Sequence, residues 1–314
     1  MSKQLIQIIP YSLIIGQADL KLALELAYIA PRIGGVLISG ERGTGKSSAV
    51  RAFAYMMYDR VPVTLPINVT EDRVVGGWQI EALMRSDPQW QPGLLEEADG
   101  RMLYVDEVNL LDDHIVNIIL DVTSTGVLSV QRESQRQEKQ VSFTLVGTMN
   151  PEEGLLRPQL VDRFGLMVNV TGEKDRTTRE KILQTVLDYD AALAQERVGV
   201  PSSLIREARQ QDAEVRRTLE QAQKRYYEVN AAPMVEACIT VASAFQLAGH
   251  RGDFVLLMAA RALAALDGSE QITPDHVYRV TRLALQHRRA EAAQGAQAYW
   301  TQTDEQRVAE QLAL

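Results

Sequence analysis

The chain has 314 residues, which at roughly 100–200 residues per domain indicates about two domains. With 46% hydrophobic and 24% charged residues, its composition is that of a globular protein and excludes a disordered or fibrous chain. A net charge of −8 and only 6% aromatic residues argue against nucleic-acid binding. No apolar run is long enough to span a membrane, and a single cysteine, Cys238, excludes a disulfide framework. We therefore expect a cytoplasmic protein without a membrane span.

Apolar runs alternate with helical patterns through the first half of the chain. Helices are predicted at residues 47–57 and 113–123. Between and around them, strands are predicted at residues 36–39, 62–68, 102–105, 142–147 and 166–170. Strands that are continuously apolar and separated by helices indicate a parallel sheet covered on both faces. The first half is therefore predicted to be an α/β domain with a five-stranded parallel sheet.

Two segments interrupt this alternation. Residues 81–92 contain the turn signal Ser86-Asp87-Pro88. Residues 127–141 have β-prone ends around a polar centre, which predicts a β-hairpin insert that stands off the sheet. The predicted tip, residues 131–140, has three basic and two acidic residues and no aromatic one, so it offers little for a nucleic acid to bind.

Helical periodicity replaces the strand signals after about Thr171. Thr273-Pro274-Asp275 is a favourable helix start, with a capping residue followed by proline in the first turn. Helical patterns cover residues 177–190, 203–229, 234–247, 253–266 and 273–289. We therefore predict an α/β domain at residues 1–172 and an all-helical domain at residues 173–314.

The most specific motif is a P-loop directly after the first predicted strand. Its residues match GxxxxGK[ST] and open a helix: Gly40, Glu41, Arg42, Gly43, Thr44, Gly45, Lys46 and Ser47. In such a loop the backbone N–H groups and the helix N-terminus face phosphate oxygens. Lys46 would then reach the β- and γ-phosphates of ATP, and the Ser47 hydroxyl would bind Mg²⁺. Ser48, the next residue, is included in the predicted nucleotide site.

A pair of carboxylates, Asp106 and Glu107, ends the predicted strand at residues 102–105. Sixty residues after a P-loop, this pattern is typical of nucleotide hydrolases. Asp106 would belong to the Mg²⁺ shell, and Glu107 would orient and deprotonate the attacking water. General-base assistance of this kind contributes roughly 10²–10⁴-fold to a rate.

Several segments resemble one protein family closely. They are GQADLKLALELAYIAPRIGGVLISGERGTGKSSAVRA, TEDRVVGG, QPGLLEEADGRMLYVDEVNLLDDHIVNIILDV and VGTMNPEEGLLRPQLVDRFGL. They resemble the AAA+ ATPase subunit (I subunit) of magnesium chelatase, a group that borders the MoxR-type ATPases. The resemblance implies an AAA+ domain with a helical lid, ATP and Mg²⁺ as cofactors, and a hexameric ring. It also implies a partner protein with a von Willebrand factor A domain.

The resemblance assigns roles to two residues of the α/β half. Asn150 lies where AAA+ proteins place sensor 1, which helps to position the attacking water. Capping of the turn before Pro151 is the alternative role for this asparagine. Arg163 matches the arginine finger that acts on the neighbouring subunit's γ-phosphate, and local pairing with Asp162 is its alternative.

Three further residues are assigned in the same way. Arg251 matches sensor 2, at a predicted helix start where the helix dipole disfavours a cation. Such a placement suggests an anionic partner, for which a nucleotide phosphate would serve; an arginine that points to solvent is the alternative. Ile15 and Gln17 fall where this family lines the adenine pocket.

One departure from the family keeps three functions open. The segment before TEDRVVGG lacks the longer, cysteine-containing insertion of photosynthetic chelatase subunits. The resemblance therefore suggests either a motor for metal insertion into a tetrapyrrole or a MoxR-like chaperone that remodels a partner protein. A nucleic-acid motor is the least favoured function, because the predicted hairpin tip is nearly balanced in charge.

Overall fold

A computed structural model describes residues 8–78, 90–132, 135–247, 249–289 and 300–314. Its strands, in chain order, are β1 Val36–Gly40, β2 Val63–Leu65, β3 Gly76–Trp78, β4 Trp90–Pro92, β5 Met102–Val105, β6 Val127–Arg132, β7 Gln135–Gln140, β8 Thr144–Met149 and β9 Leu166–Val170.

Five of these strands form one parallel sheet in the order β2-β5-β8-β1-β9. They are the five strands predicted from the apolar runs, so the predicted α/β sheet is confirmed. The strand predicted at residues 62–68 is shorter in the structure and ends at Leu65. Pro66 follows immediately, and its missing N–H cannot extend a ladder.

The helices of the described residues are α1 Ala18–Ile29, α2 Lys46–Tyr58, α3 Glu71–Val75, α4 Leu94–Glu97, α5 Asp113–Thr125, α6 Pro158–Val161, α7 Arg176–Arg197, α8 Ser203–Arg225, α9 Val235–Ala244, α10 Arg251–Leu266, α11 Pro274–Leu285 and α12 Gln302–Leu312. The all-helical character of the second half is therefore confirmed. None of these helices has the length and apolar character needed to cross a membrane.

The predicted hairpin is present as the antiparallel pair β6–β7, which begins with Val127 opposite Gln140. It does not stand fully clear of the domain, because Leu128 and Val130 are buried in the core next to the sheet. Lys139 Nζ also lies 2.5 Å from Glu96 Oε2 and ties the hairpin to the residues around α4.

A second antiparallel pair, β3–β4, precedes α4. The turn predicted at Ser86-Asp87-Pro88 lies outside the described residues.

Apolar side chains form a separate core on each face of the sheet. Alternate residues of β1 divide between them, with Val36 and Ile38 on one face and Leu37 on the other. The Val36 face packs against α1 and α2 and continues into α10 and α11. The Leu37 face packs against α5 and the base of the β6–β7 hairpin. The first core thus crosses the predicted boundary at residue 172, which stays a prediction.

Candidate nucleotide site

The P-loop connects β1 to α2, as its motif predicts. Backbone conformation or close packing explains why three of its positions are glycine. Gly43 and Gly45 adopt positive φ angles of 77° and 82°, a region that favours glycine. A Cβ on Gly40 would lie 2.1 Å from the Val170 carbonyl oxygen of the neighbouring strand. Helix α2 begins at Lys46 immediately after the loop, so its unpaired N–H groups lie beside it. The loop therefore has the backbone form that phosphate binding needs.

The Lys46 ammonium lies against this loop. Its Nζ donates to the Gly40 carbonyl at 2.5 Å and to the Glu41 carbonyl at 2.6 Å. Burial lowers the pKa of Lys46, and the nearby carboxylates of Asp106 and Glu107 oppose that shift. The side chain is thus a cation next to the loop and two acidic groups, and its contact with the β- and γ-phosphates stays a prediction.

The order of the strands brings three chain-distant segments to one sheet edge. Because β5, β8 and β1 are adjacent and parallel, the residues that follow them meet at their carboxyl ends. The residues concerned are Asp106 and Glu107 after β5, Asn150 after β8, and the P-loop after β1. They line a cavity of about 270 Å³.

Tyr104 connects the two predicted Mg²⁺ ligands. Its hydroxyl lies 2.9 Å from Ser47 Oγ and 2.8 Å from Asp106 Oδ1. Thr148 Oγ1 also donates to Asp106 Oδ1, at 2.7 Å. Burial raises the pKa of Tyr104 to about 12, so the group is a neutral phenol. A serine hydroxyl and a carboxylate held this close form the oxygen donor set that Mg²⁺ prefers, so these residues fit the ion.

Glu107 has a strained backbone directly after β5. Its φ is 56°, which is uncommon for a residue other than glycine. Its N–H donates to Thr148 Oγ1 at 3.2 Å, and its carboxylate lies 3.3 Å from Arg42 Nη2 of the P-loop. Arg42 also pairs with Glu153. The contacts with Thr148 and Arg42 hold Glu107 in this conformation, with its carboxylate beside the phosphate-binding loop.

Asn150 shows the alternative interaction named above while it also lines the cavity. Its side-chain oxygen accepts a hydrogen bond from the Glu152 N–H at 3.3 Å and caps the short helix Pro151–Glu153. The residue is 5% exposed and lies in the cavity wall with Lys46 and Asp106. Capping and a role in the site are therefore compatible.

A larger cavity of about 790 Å³ opens on the other side of the P-loop. Ile15 and Gln17, which the resemblance assigns to the adenine pocket, line this cavity, and Gln17 Nε2 donates to the Thr44 carbonyl at 2.6 Å. The wall also includes Gly43, Thr44, Gly45, Ser48, Val170, Ile182, Leu183 and Val186. An apolar cavity that adjoins a phosphate-binding loop suits a nucleotide base.

Arg163 does not lie in this site. Its guanidinium donates to Asn117 and Asp121 of α5, so the alternative of a pair with Asp162 is wrong. Helix α5 packs beside the loop at residues 162–165, here called the Arg163 loop. The Asn117 amide and the Asp121 carboxylate of this helix are closer partners for the Arg163 guanidinium than Asp162 is. Gly165 N donates to the Gly34 carbonyl at 3.2 Å, which places the Arg163 loop beside the amino end of β1.

Arg251, like Arg163, lies near the amino ends of the sheet strands. It is the first residue of α10, and its Nη1 lies 3.8 Å from Asp162 Oδ2 of the Arg163 loop. Arg251 therefore has an anionic partner, as its position at a helix start suggests. In the structure this partner is the Asp162 carboxylate of the same chain. The five residues of β1 span roughly 16 Å at about 3.3 Å per residue. That strand separates both arginines from the chain's own P-loop.

Some residues of the site lie outside the motifs and were not predicted from the sequence. Tyr104 is two residues before Asp106 and faces the same side of β5, so the period of a strand could have identified it. The pairing of Arg42 with Glu153 joins residues that are far apart in sequence, and nothing local predicts it.

The comparisons with known proteins agree with this architecture. Residues 35–164 match the family model AAA domain (dynein-related subfamily), and residues 235–311 match AAA lid domain. The magnesium-chelatase 38 kDa subunit of Rhodobacter capsulatus is 39% identical over 315 residues, with 90% of this chain and 88% of that protein covered. The magnesium-chelatase subunit ChlI of Cyanophora paradoxa is 37% identical and covers 90% of both chains.

A solved structure extends the similarity to the fold. It is a chain of the complex between subunits BchI and BchD of magnesium chelatase, based on single-particle cryo-electron microscopy. The two chains have a TM-score of 0.51 and 37% identity, over 96% of this chain and 99% of that one. The P-loop, the Asp106-Glu107 pair and the helical lid are therefore parts of an ATPase, and the chain belongs to the AAA ATPases of the magnesium-chelatase I-subunit family.

Proposed function

We propose that this chain is a ring-forming motor subunit that couples ATP hydrolysis to the remodelling of a partner subunit. The observation that carries the proposal is the separation of two half-sites. The P-loop, Asp106 and Glu107 lie at the carboxyl edge of the sheet, whereas Arg163 and Arg251 lie beyond its amino edge. A subunit therefore holds one set of groups for its own nucleotide and another set for a neighbour's.

Within one subunit, each group has a distinct role. The P-loop N–H groups and Lys46 bind the phosphates, and Ser47 and Asp106 hold Mg²⁺, which neutralises phosphate charge when bound. Glu107 accepts a proton from the attacking water, and Asn150 helps to orient that water. Gln17 and Ile15 line the side of the site that receives the base.

Across the subunit interface, Arg163 and Arg251 complete the neighbour's site. Their side chains are 25% and 39% exposed, so both guanidinium groups remain accessible to a second copy. A head-to-tail contact that places them at the next P-loop generates a ring when the rotation closes. ATP would then bridge two subunits.

We propose further that the reaction driven by this motor is metal insertion into a tetrapyrrole. The support is the 39% identity to a magnesium-chelatase subunit and the likeness to the chain in the BchI–BchD complex. Activation of a partner with a von Willebrand factor A domain, as by a MoxR-type chaperone, is the second candidate. The short segment between α2 and α3, which lacks a photosynthetic-type insertion, favours that candidate.

Mixed rings test the trans role of Arg163. An Arg163→Ala subunit keeps its own P-loop and Glu107 and should bind ATP nearly normally but hydrolyse it poorly. A Lys46→Ala subunit has a disabled pocket and an intact Arg163. In rings shown to be mixed by energy transfer between labels, the two inactive variants should restore a fraction of wild-type activity. Flat activity at every ratio would contradict the trans role.

A reconstitution in which this chain replaces BchI tests which reaction the motor drives. The chain, BchD and the porphyrin-binding subunit are combined with ATP, Mg²⁺ and a porphyrin, and formation of the metalloporphyrin is followed by fluorescence. Metallation that is lost with Lys46→Ala supports chelation. Stable, ATP-dependent binding to BchD without metallation would favour the chaperone function.

A further inference from the structure

We propose that Arg288 is a positioning residue that holds the Arg163 loop in the form required at the neighbouring subunit's nucleotide. Arg288 lies in the turn at residues 286–288 directly after α11, here called the end of α11. The inference rests on the proposed trans role of Arg163 and adds the element that controls it. Arg288 belongs to the helical half of the chain, 125 positions away from Arg163. It does not line either cavity of the nucleotide site.

The Arg288 guanidinium contacts the backbone of the Arg163 loop on both sides of Arg163. Nη2 donates to the Asp162 carbonyl at 2.9 Å and to the Phe164 carbonyl, and Nη1 donates to the Gly165 carbonyl at 2.9 Å. Its Nε lies 3.4 Å from Asp162 Oδ1. One side chain thus binds every residue of this loop except Arg163 itself.

Burial makes these contacts strong. The Arg288 side chain is 2% exposed, and burial is the main reason that its pKa falls to about 10. A charged donor in such surroundings gains more from each carbonyl than an exposed one does, and its loss would remove this donor from the Asp162 and Gly165 carbonyls. The Arg163 loop therefore depends on this residue for its backbone conformation.

Neighbouring residues of the same chain segment extend the attachment. His287 Nε2 donates to the Phe164 carbonyl at 3.1 Å, and Gln286 binds the Met167 carbonyl and Asn169 of β9. Preceding residues of α11, among them Leu283, are buried in the core that is shared with α10. The end of α11 is thus anchored in the helical half and bonded to the loop.

Two elements therefore fix Arg163 from opposite sides. Helix α5 binds its guanidinium through Asn117 and Asp121, and the end of α11 binds its backbone neighbours. To reach a neighbour's phosphate the guanidinium must leave the α5 partners, whereas the backbone contacts can persist. Arg288 would then define the point from which Arg163 extends, and a shift of α11 would move that point.

The test uses Arg288→Met, which keeps an apolar stem, and Arg288→Lys, which keeps the charge but offers a single donor centre. Arg279→Met is the control, because Arg279 lies on α11 itself, nine residues before Arg288, and pairs with Asp267 outside the Arg163 loop. We expect Arg288→Met to bind ATP within about twofold of wild type and to lose at least about tenfold in kcat. That loss is a part of the about 10³–10⁵-fold that trans arginines supply. Arg288→Lys should be intermediate and Arg279→Met normal.

Mixed rings separate positioning from general damage. Arg288→Met subunits should regain activity with Lys46→Ala subunits, whose Arg163 is intact, but not with Arg163→Ala subunits. Wild-type kcat in Arg288→Met would overturn the inference. So would failure of Lys46→Ala to rescue it while Arg163→Ala is rescued in parallel. If Arg288→Met does not enter rings, Arg288→Lys is measured in the same two mixtures under the same criteria.

A different result would locate the failure in the trans model. If Arg163→Ala is not rescued by Lys46→Ala in proven mixed rings, the proposed trans role falls and this inference falls with it. The parallel Arg163→Ala mixture therefore distinguishes the two failures.

Discussion

Ser47, Tyr104 and Asp106 show how one buried hydroxyl organises two functional side chains. The Tyr104 hydroxyl contacts both of the other residues within 2.9 Å. A phenol with a pKa of about 12 stays neutral and keeps a proton to donate to the Asp106 carboxylate. It thereby keeps the two predicted Mg²⁺ ligands close together, whereas a phenylalanine of the same shape lacks the hydroxyl that does this.

We therefore predict that Tyr104→Phe raises the Mg²⁺ concentration needed for half-maximal ATPase activity. One lost hydrogen bond of about 0.5–1.5 kcal/mol corresponds to roughly 2–10-fold. A magnesium titration at saturating ATP measures the effect. Tyr58→Phe is the control. It also removes a tyrosine hydroxyl, but one that contacts Thr144 at the start of β8. Equal titration curves for Tyr104→Phe and wild type would refute the role.

Glu107 carries the second prediction at this scale. Its carboxylate lies beside the P-loop, where it contacts Arg42, and it should act as the general base. Glu107→Gln should therefore bind ATP but turn it over at least about 10²-fold more slowly. Single-turnover hydrolysis and nucleotide binding are measured together, with Glu97→Gln, at an exposed ion pair with Arg73, as the control. Hydrolysis at the wild-type rate would show that another group is the base.

At the scale of elements, α11 unites the helical half with the sheet, and its end contains a buried imidazole. Burial and the adjacent Arg288 charge lower the pKa of His287 well below its ordinary value, so the ring is neutral in the folded protein. The unfolded chain binds a proton at this residue near pH 6.5, whereas the folded chain does so only at much lower pH. Folding is therefore disfavoured as the pH falls below about 6.5.

This linkage predicts that His287→Gln flattens the acid side of the stability profile. One proton bound only by the unfolded state lowers the free energy of unfolding by about 1.4 kcal/mol per pH unit. Between pH 7 and pH 5 the variant should lose less stability than wild type, although it starts from a lower stability. Urea unfolding at both pH values measures this. His250→Gln, which replaces an exposed histidine, is measured in parallel as the control.

At the scale of the whole molecule, the two half-sites lie at opposite edges of one sheet. Arg163 and the chain's own P-loop lie at opposite ends of β1, and the length of that strand separates them. This separation is the reason for the proposal that a neighbouring subunit completes the site.

We predict that ATP promotes assembly, because the γ-phosphate joins one subunit's P-loop to its neighbour's Arg163. Light scattering with a non-hydrolysable analogue should show a larger particle than without nucleotide, and Arg163→Ala should reduce the shift. Glu107→Gln is the control that keeps both contacts and should assemble fully. A strict monomer at micromolar protein with saturating nucleotide would count against the ring.

The parts of this protein that follow from local order in the chain were predictable. The P-loop motif lies in eight consecutive residues, and Asp106 and Glu107 end an apolar run. In both places a short segment contains the strand and the candidate site residues that follow it. Consecutive parallel strands also imply that these segments meet at one edge. The helical half was predicted as helices, since amphipathic period is likewise a local property.

The partners of the arginines depended on packing between distant segments. Arg163 binds Asp121 of α5 instead of the adjacent Asp162, and Asp162 faces Arg251 and Arg288 from the helical half. Residues next to each other in a loop point in different directions, so sequence proximity misjudges such pairs. Which charge meets which is decided when α5 and α11 pack beside the Arg163 loop, because only then do burial and distance select the partner.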